Sequence, residues 1–377
     1  MTNPFFLREI SLNDPFCDRE QALQELCTHA RSLANVVLYS PRRFGKTSLV
    51  KRVQSHLAKE QVICVYCQFY GVTSVEDVAI RLAKSIFSVT QSQDSLFQKA
   101  IRFFTSFRPV MTMEPDAQKG VLWSIQLAKM NLTGYELLEE VMASLDTFIA
   151  QVGLPVHIVF DEFQEITDLP DARKLEGLLR EHIQKQKAAY LFVGSRRSLL
   201  LSMFNERKRA FYASAINYPL EPLPEKDFIA FIMQEFIRGG KICQESAASK
   251  IVSLIECYPY YGQKLAYFVF NNTKDRATEL DVDVGIEQLL KEETPVFEGI
   301  LMGLTPQQIS LLTALSKEPT DSLFAIDYLS RYRLGSIGGV QAAVKKLSRL
   351  DLIERHVKGG WKVVDPILSR WLVQVQS

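Results

Sequence analysis

Three groups of residues have the types and spacing for chemistry. The first is Ser40-Pro41-Arg42-Arg43-Phe44-Gly45-Lys46-Thr47-Ser48, between the apolar run Val36–Tyr39 and a segment of helical apolar period. A turn closing on Gly-Lys-Thr between a buried strand and a helix is the layout of a phosphate-binding loop. Backbone N–H groups of such a loop point at the anion. Lys46 places a point charge on the β- and γ-phosphates of a nucleotide, and Thr47 offers its hydroxyl to Mg2+. Gly45 lets the backbone approach closely. The full pattern begins with Gly, and that position is Ser40. Serine there is harmless unless the turn requires φ > 0, and Pro41 stiffens the loop.

The second group is Asp161-Glu162, ending the apolar run from Leu154 to Phe160. Hydrolysis needs a carboxylate for the metal and a base for the attacking water. Asp161 fits the first role, through water, and Glu162 the second. Gln164 and Glu165 are weaker candidates and read as loop surface. The third group is basic. Gly194-Ser195-Arg196-Arg197 ends the next apolar run, where Arg196, or failing it Ser195, would read a γ-phosphate. Arg209, in Glu206-Arg207-Lys208-Arg209, is the candidate for an arginine finger reaching a neighbouring subunit's nucleotide.

The elements that must carry these groups alternate. Helices are predicted over residues 46–59, 75–89, 134–151 and 171–187, and an earlier one follows the turn at Asn13–Phe16, with Asp18 as its cap. Strands are predicted over 35–40, 62–69, 154–163, 190–197 and 216–222. Strands alternating with helices argue for a covered, mainly parallel sheet. The 62–69 run is almost wholly apolar, the pattern of a strand covered on both faces. Residues 92–134 break the rhythm, and 108–128 within them read as an inserted hairpin around Glu114–Gly120. From Glu225 strands give way to helices, and a third unit begins near Thr305. Its order, three helices and then a two-stranded ribbon, is that of a winged helix.

At 377 residues, two or three domains are expected, and 47% hydrophobic with 23% charged residues describes a folded chain rather than a disordered one. The formal net charge of +1 says nothing global about partners. No secretory leader is read at the start, and no uncharged run approaches membrane-spanning length. Six scattered cysteines suit a reducing cytoplasm; Cys64 and Cys67, three apart on a strand, face opposite ways and read as free thiols.

The chain resembles an archaeal/bacterial ATPase family of AAA-type, STAND-related P-loop NTPases with a C-terminal winged helix. The matching residues are Asp14–Glu20, Ser40–Ser48, Ile158–Gln164, Val193–Arg196, Tyr258-Pro259-Tyr260-Tyr261 and Val364–Trp371, spread over nearly the whole chain. Two positions depart from the pattern: Ser40 replaces the first loop Gly, and Asp18 the Gly before Arg19. The resemblance implies an α/β P-loop NTPase core over 1–223, a helical lid over 224–300 and a winged-helix domain over 301–377. It also implies ATP with Mg2+ as ligands and nucleotide-dependent self-association. By the same resemblance, Phe16 to Arg19 would lie against the adenine and Pro259 would close over the nucleotide from the lid.

Residues 301–377 hold ten Lys and Arg against six Asp and Glu. The surplus gathers at Lys345, Lys346, Arg349, Arg355, Lys358 and Lys362, in the predicted recognition helix and wing. Double-stranded DNA gripped through 336–362 is one expectation; packing on the ATPase core or docking a protein partner is the other. Three functions stay open: an ATP-hydrolysing switch or motor, a DNA-binding regulator gated by ATP, and a nucleotide-sensing scaffold with little turnover.

Overall fold

The computed structural model describes residues 2–8, 10–90, 107–113, 121–127, 132–355 and 360–375. The chain divides into two compact units. One comprises Glu20–Ser40 and Leu49–Leu220; the other comprises Met1–Arg19, Pro41–Ser48 and Glu221–Ser377. Among the described residues no helix is long and apolar enough to cross a membrane.

The first unit carries the sheet. In chain order it contributes α1 (Glu20–Arg31), β1 (Val36–Tyr39), most of α2 (Lys46–Lys59), β2 (Ile63–Gln68), α3 (Val75–Thr90), β3 (Phe107–Met113), β4 (Val121–Leu127) and α4 (Gly134–Val152). Then come β5 (Val156–Asp161), a 3-10 turn at Phe163–Asp168, α5 (Ala172–Lys185), β6 (Ala188–Gly194), α6 (Arg197–Asn205) and β7 (Ile216–Pro219). Five strands pair in parallel in the order β2-β5-β6-β1-β7. β5 and β6 are buried at every position, as near-continuous apolar strands covered on both faces must be. β2 lies at the edge of the sheet, and its burial alternates, so the expectation of full cover holds for one face only. Cys64 on that strand is half-buried, Cys67 is buried, and all six cysteines are free.

Local signals fix the helices. Thr133 and Glu136 form a capping box before α4, and Gly153 ends it in the left-handed region at φ 72°. The expected hairpin exists as β3 and β4, paired from Phe107↔Leu127 to Met113↔Val121; its Glu114–Gly120 connection lies outside the described residues. The 3-10 turn was not expected from the sequence. It is pinned by Phe163, wholly buried against Phe160, Phe192, Phe204 and Phe211 with ring centroids 4.8–6.2 Å apart.

The second unit follows with α7 (Glu225–Arg238), β8 (Ile242–Cys243), α8 (Glu245–Leu254), α9 (Pro259–Asn272), β9 (Arg276–Ala277), α10 (Glu279–Met302) and α11 (Pro306–Lys317). It ends with α12 (Ile326–Arg331), α13 (Ile337–Arg349), the antiparallel ribbon β10 (Ile353–Arg355) and β11 (Trp361–Val363), and α14 (Pro366–Val375). Strands do not vanish after Glu225, because β8 and β9 make a two-residue parallel pair. No break in packing falls at residue 300 either: one core runs from Phe228 through Phe297 to Leu372. α10 extends past Pro295 to Met302, with Phe297 against Trp371 and the Trp371 Nε1–H donating to Thr294 Oγ1 at 2.9 Å.

Candidate functional site

The sheet supplies the frame. β1, β5 and β6 run parallel, so their carboxyl ends emerge along one edge, where open α/β sheets bind ligands. Ser40, the first residue of the loop, leaves β1, Asp161-Glu162 ends β5 and Ser195-Arg196 leaves β6 at that edge.

Left-handed backbone in the loop falls at Arg43 (φ 61°) and Gly45 (φ 89°), and not at Ser40. Serine in the first loop position is therefore unstrained. Nothing lies within 4 Å of a Cβ built on Gly45, so its dihedral and not crowding demands glycine. Left-handed residues interspersed in a turn turn N–H groups inward as an anion nest, so the loop fits a phosphate. Lys46 is 5% exposed, and its ammonium donates to the Pro41 carbonyl at 2.9 Å, which spans the loop from root to tip.

The loop's flanking residues belong to the helical unit. Tyr258 donates its hydroxyl to the Arg42 carbonyl, and its ring meets Phe44 edge-on with centroids 4.9 Å apart. The Arg43 guanidinium lies 4.2 Å from the Tyr260 ring centroid and 3.9 Å from the buried Glu293 carboxylate. Lys264 answers Glu293 at 2.6 Å; burial works against the Lys264 charge, but the carboxylate outweighs it and its pKa is raised. Tyr258 also packs on Tyr261, whose hydroxyl donates to Asp365 at 2.6 Å. The other Asp365 oxygen accepts the Ile367 and Leu368 amides, capping α14. Phe16, Arg19 and Pro259 fall in the same unit as Pro41–Ser48. Arg19 donates to the Glu221 carbonyl, and Pro259 opens α9 at its first turn. Sequence reasoning missed Tyr258, Tyr260 and Glu293. The Tyr-Pro-Tyr-Tyr run was a usable signal for the first two, although only its proline received a role.

At the other strand ends, Asp161 is 2% exposed. One of its oxygens accepts the Tyr66 hydroxyl, and the other accepts the Glu162 amide at 3.0 Å. Glu162 sits in the left-handed region at φ 53°, ψ 43°, and its Oε2 accepts Gln164 Nε2 at 2.5 Å, Ser195 Oγ at 2.9 Å and the Ser195 N–H at 3.3 Å. Gln164, expected on the loop surface, is wholly buried. Arg196 points elsewhere: its guanidinium pairs with Glu165 at 2.8 Å and Asp168 at 2.7 Å on the 3-10 turn. Ser195 is thus the strand-tip side chain beside Glu162. Arg209 makes a two-pronged pair with Glu176, whose side chain is 1% exposed. Burial pushes the Glu176 carboxyl up and Arg209 opposes that shift, so as folded Arg209 neutralises a carboxylate of its own chain rather than presenting itself to a neighbour.

No group of three or more metal-ligating side chains occurs among the described residues. Thr47 in one unit offers a hydroxyl and Asp161 in the other an oriented carboxylate, each a ligand type that Mg2+ accepts. In the winged-helix part, Lys345, Lys346 and Arg349 lie exposed on α13, while Lys362 is paired with Glu256 at 3.2 Å and Glu354 at 3.8 Å. Lys358 lies outside the described residues.

Residues 16–262 match the model of the ATPase domain found predominantly in Archaea, well over half of the chain, and residues 295–374 match a probable winged helix domain. The chain belongs to this ATPase family. A search of curated proteins gave no match. Among solved structures it is similar to the Walker-type ATPase PABY2304 of Pyrococcus abyssi, at 18% identity and a TM-score of 0.71 over 98% of this chain and 99% of that one. It is also similar to the ORC2 protein of Aeropyrum pernix in its ADPNP–ADP complexes, at 15% identity and a TM-score of 0.57 over 98% and 95%. The ORC1 protein of the same organism, solved in complex with DNA, matches at 12% identity and a TM-score of 0.51 over 98% and 94%. These likenesses establish the fold, a P-loop α/β sheet followed by a winged helix; they do not bear on the STAND kinship.

Proposed function

We propose that the chain binds ATP on the Ser40–Ser48 loop, hydrolyses it with Mg2+, and uses the cycle as a conformational or assembly switch in the cytoplasm. The observation that carries the switch is the seating of the loop. Arg42, Arg43 and Phe44 rest on Tyr258 and Tyr260, and Tyr258 leads through Tyr261 to Asp365 at the head of the last winged-helix segment. A phosphate that reorders the loop must disturb those contacts, and they end on α14.

In this reading the loop amides and Lys46 hold the β- and γ-phosphates. Thr47 and Asp161 would hold the metal, which when bound would supply positive charge against the negative charge on the phosphoryl oxygens. Glu162 takes the proton of the attacking water. Phe16, Arg19 and Pro259 are proposed around the base, as the family resemblance implies. Arg196 and Arg209 join the chemistry only by leaving their carboxylates, and the proposal gives neither a step. The nucleotides in the A. pernix ORC2 complexes support ATP and ADP as the ligands.

A second reading has its own observation. The exposed face of α13 carries Lys345, Lys346 and Arg349 without an acidic residue between them. We propose it as a duplex-DNA contact; the alternative occupants, a protein partner or a second copy, are outcomes of the same experiment. Binding of ATP and release of phosphate are measured for wild type and Lys46→Ala, with and without duplex DNA. Turnover that Lys46→Ala abolishes supports the ATPase; tight ATP binding without phosphate release would leave a sensing scaffold. Salt-steep DNA binding lost on neutralising the three basic residues supports the DNA contact.

A further inference from the structure

We propose that Gln164 is a positioning residue for Glu162, joining the strand-tip Ser195 in fixing one carboxylate oxygen so that the other faces the attacking water. The inference rests on the reading of Glu162 as the base. Its ground is an uneven distribution of donors. Gln164 Nε2, Ser195 Oγ and the Ser195 amide all donate to Oε2. Among the described residues none donates to Oε1. A carboxylate gripped by three donors at one oxygen keeps a single orientation, and the ungripped oxygen holds the lone pairs that a water proton needs.

The backbone is shaped for this grip. β5 and β6 pair in register through Phe160↔Phe192, so Glu162 and Gly194 follow two residues later on adjacent strands. The left-handed conformation of Glu162, strained for a residue with a side chain, folds the chain back into the 3-10 turn that delivers Gln164 to the same carboxylate. Gly194 makes the room: a Cβ there would stand 2.0 Å from Gln164 Oε1 and 3.1 Å from its Cδ. Gln164 itself is wholly buried, and its Oε1 has no hydrogen-bond partner. Leucine or methionine would fill the same volume without orphaning a buried acceptor. What the amide adds that they lack is the Nε2–H donor to Glu162. The opposite amide orientation would set a carbonyl against the carboxylate, so the donor faces Glu162.

The test uses the full chain at saturating MgATP, comparing wild type with Gln164→Leu, Ser195→Ala, Ser195→Thr, Gly194→Ala and Glu162→Gln. Both kcat and the Kd for ADP are measured. Gln164→Leu and Ser195→Ala are expected to lower kcat roughly 10- to 100-fold, the usual consequence of a misaligned reacting group, while leaving the Kd unchanged. Gly194→Ala, which displaces the Gln164 amide, is expected to copy Gln164→Leu. Ser195→Thr restores the hydroxyl and recovers most of the loss. Gly194→Ala, which acts on the Gln164 amide without replacing it, carries the test if Gln164→Leu fails to fold. Wild-type kcat in Gln164→Leu and Ser195→Ala beside an inactive Glu162→Gln would overturn the positioning role and leave the base reading standing. Wild-type turnover in Glu162→Gln would instead overturn the base reading, and the positioning role with it.

Discussion

The phosphate loop and the β5–β6 strand ends are held by opposite means. Asp161 and Glu162 are fixed by neighbours on the adjacent strands and on the turn that follows: Tyr66, Ser195 and Gln164. Tyr66 lies on the paired strand β2, and Ser195 and Gln164 stand just beyond the ends of β6 and β5, so these partners are set by the strand ends. Arg42, Arg43 and Phe44 are fixed by residues more than two hundred positions away, on α9 and α10. A group that must be aligned for bond breaking gains from short-range, sheet-borne support. A loop that must report occupancy gains from long-range contacts whose partners can move. In the proposed switch the difference would separate chemistry from signalling, and each side can be broken without the other.

The largest effect is expected on the sheet side, and it is structural. Arg209→Met leaves the buried Glu176 carboxylate uncompensated and should cost about 3–5 kcal/mol, read by urea unfolding. A variant that keeps its stability, loses turnover alone and regains it when mixed with Lys46→Ala chain would return Arg209 to the role of a finger. Next is the acid limb of stability. His157, wholly inside β5, has its pKa pushed down to about 4 from 6.5 by burial. A histidine depressed in the fold contributes stability above its unfolded pKa and loses it as pH falls toward the folded value. Between pH 7 and 4 the loss should reach about 3 kcal/mol, and His157→Phe should flatten that part of the profile.

On the loop side, Lys46→Ala removes a charge-assisted contact to phosphate, and nucleotide affinity should fall about 10- to 100-fold by calorimetry. The smallest effect belongs to Arg43→Ala. Losing a half-exposed cation over Tyr260 should change nucleotide affinity by about 2- to 5-fold and leave kcat alone.

Much of this was legible in the sequence, for reasons that differ by region. β5 and β6 were readable because parallel strands covered on both faces are continuous apolar runs, and Gly-Lys-Thr and Asp-Glu stand at fixed places relative to such runs. α2 and α4 carried helical periodicity, and α4 a capping box as well. The edge position of β2 was not readable, because strand order is a property of pairing and not of local pattern. Gln164 was misplaced on the surface because a polar residue after a strand usually is; its burial follows from Phe163 docking into an aromatic cluster assembled from three later segments. The partners of Arg196 and Arg209 were hidden for the same reason. Arginines look available until the fold supplies Glu165, Asp168 and Glu176. The seat of the loop on Tyr258, Tyr260 and Glu293 is the longest-range feature, and only its tyrosine run left a trace.

The most direct test sets Glu162→Gln beside Tyr258→Phe and measures kcat and nucleotide Kd for both. Glu162→Gln should lose about 100-fold or more in kcat, as removal of a general base does, with its Kd unchanged. Tyr258→Phe, which keeps the ring on Phe44 and loses only the hydroxyl donor to Arg42, should shift Kd by about 5-fold and keep its kcat. The crossed result, with Glu162→Gln hydrolysing ATP at the wild-type rate and Tyr258→Phe losing turnover at unchanged affinity, would contradict the separation of chemistry from signalling.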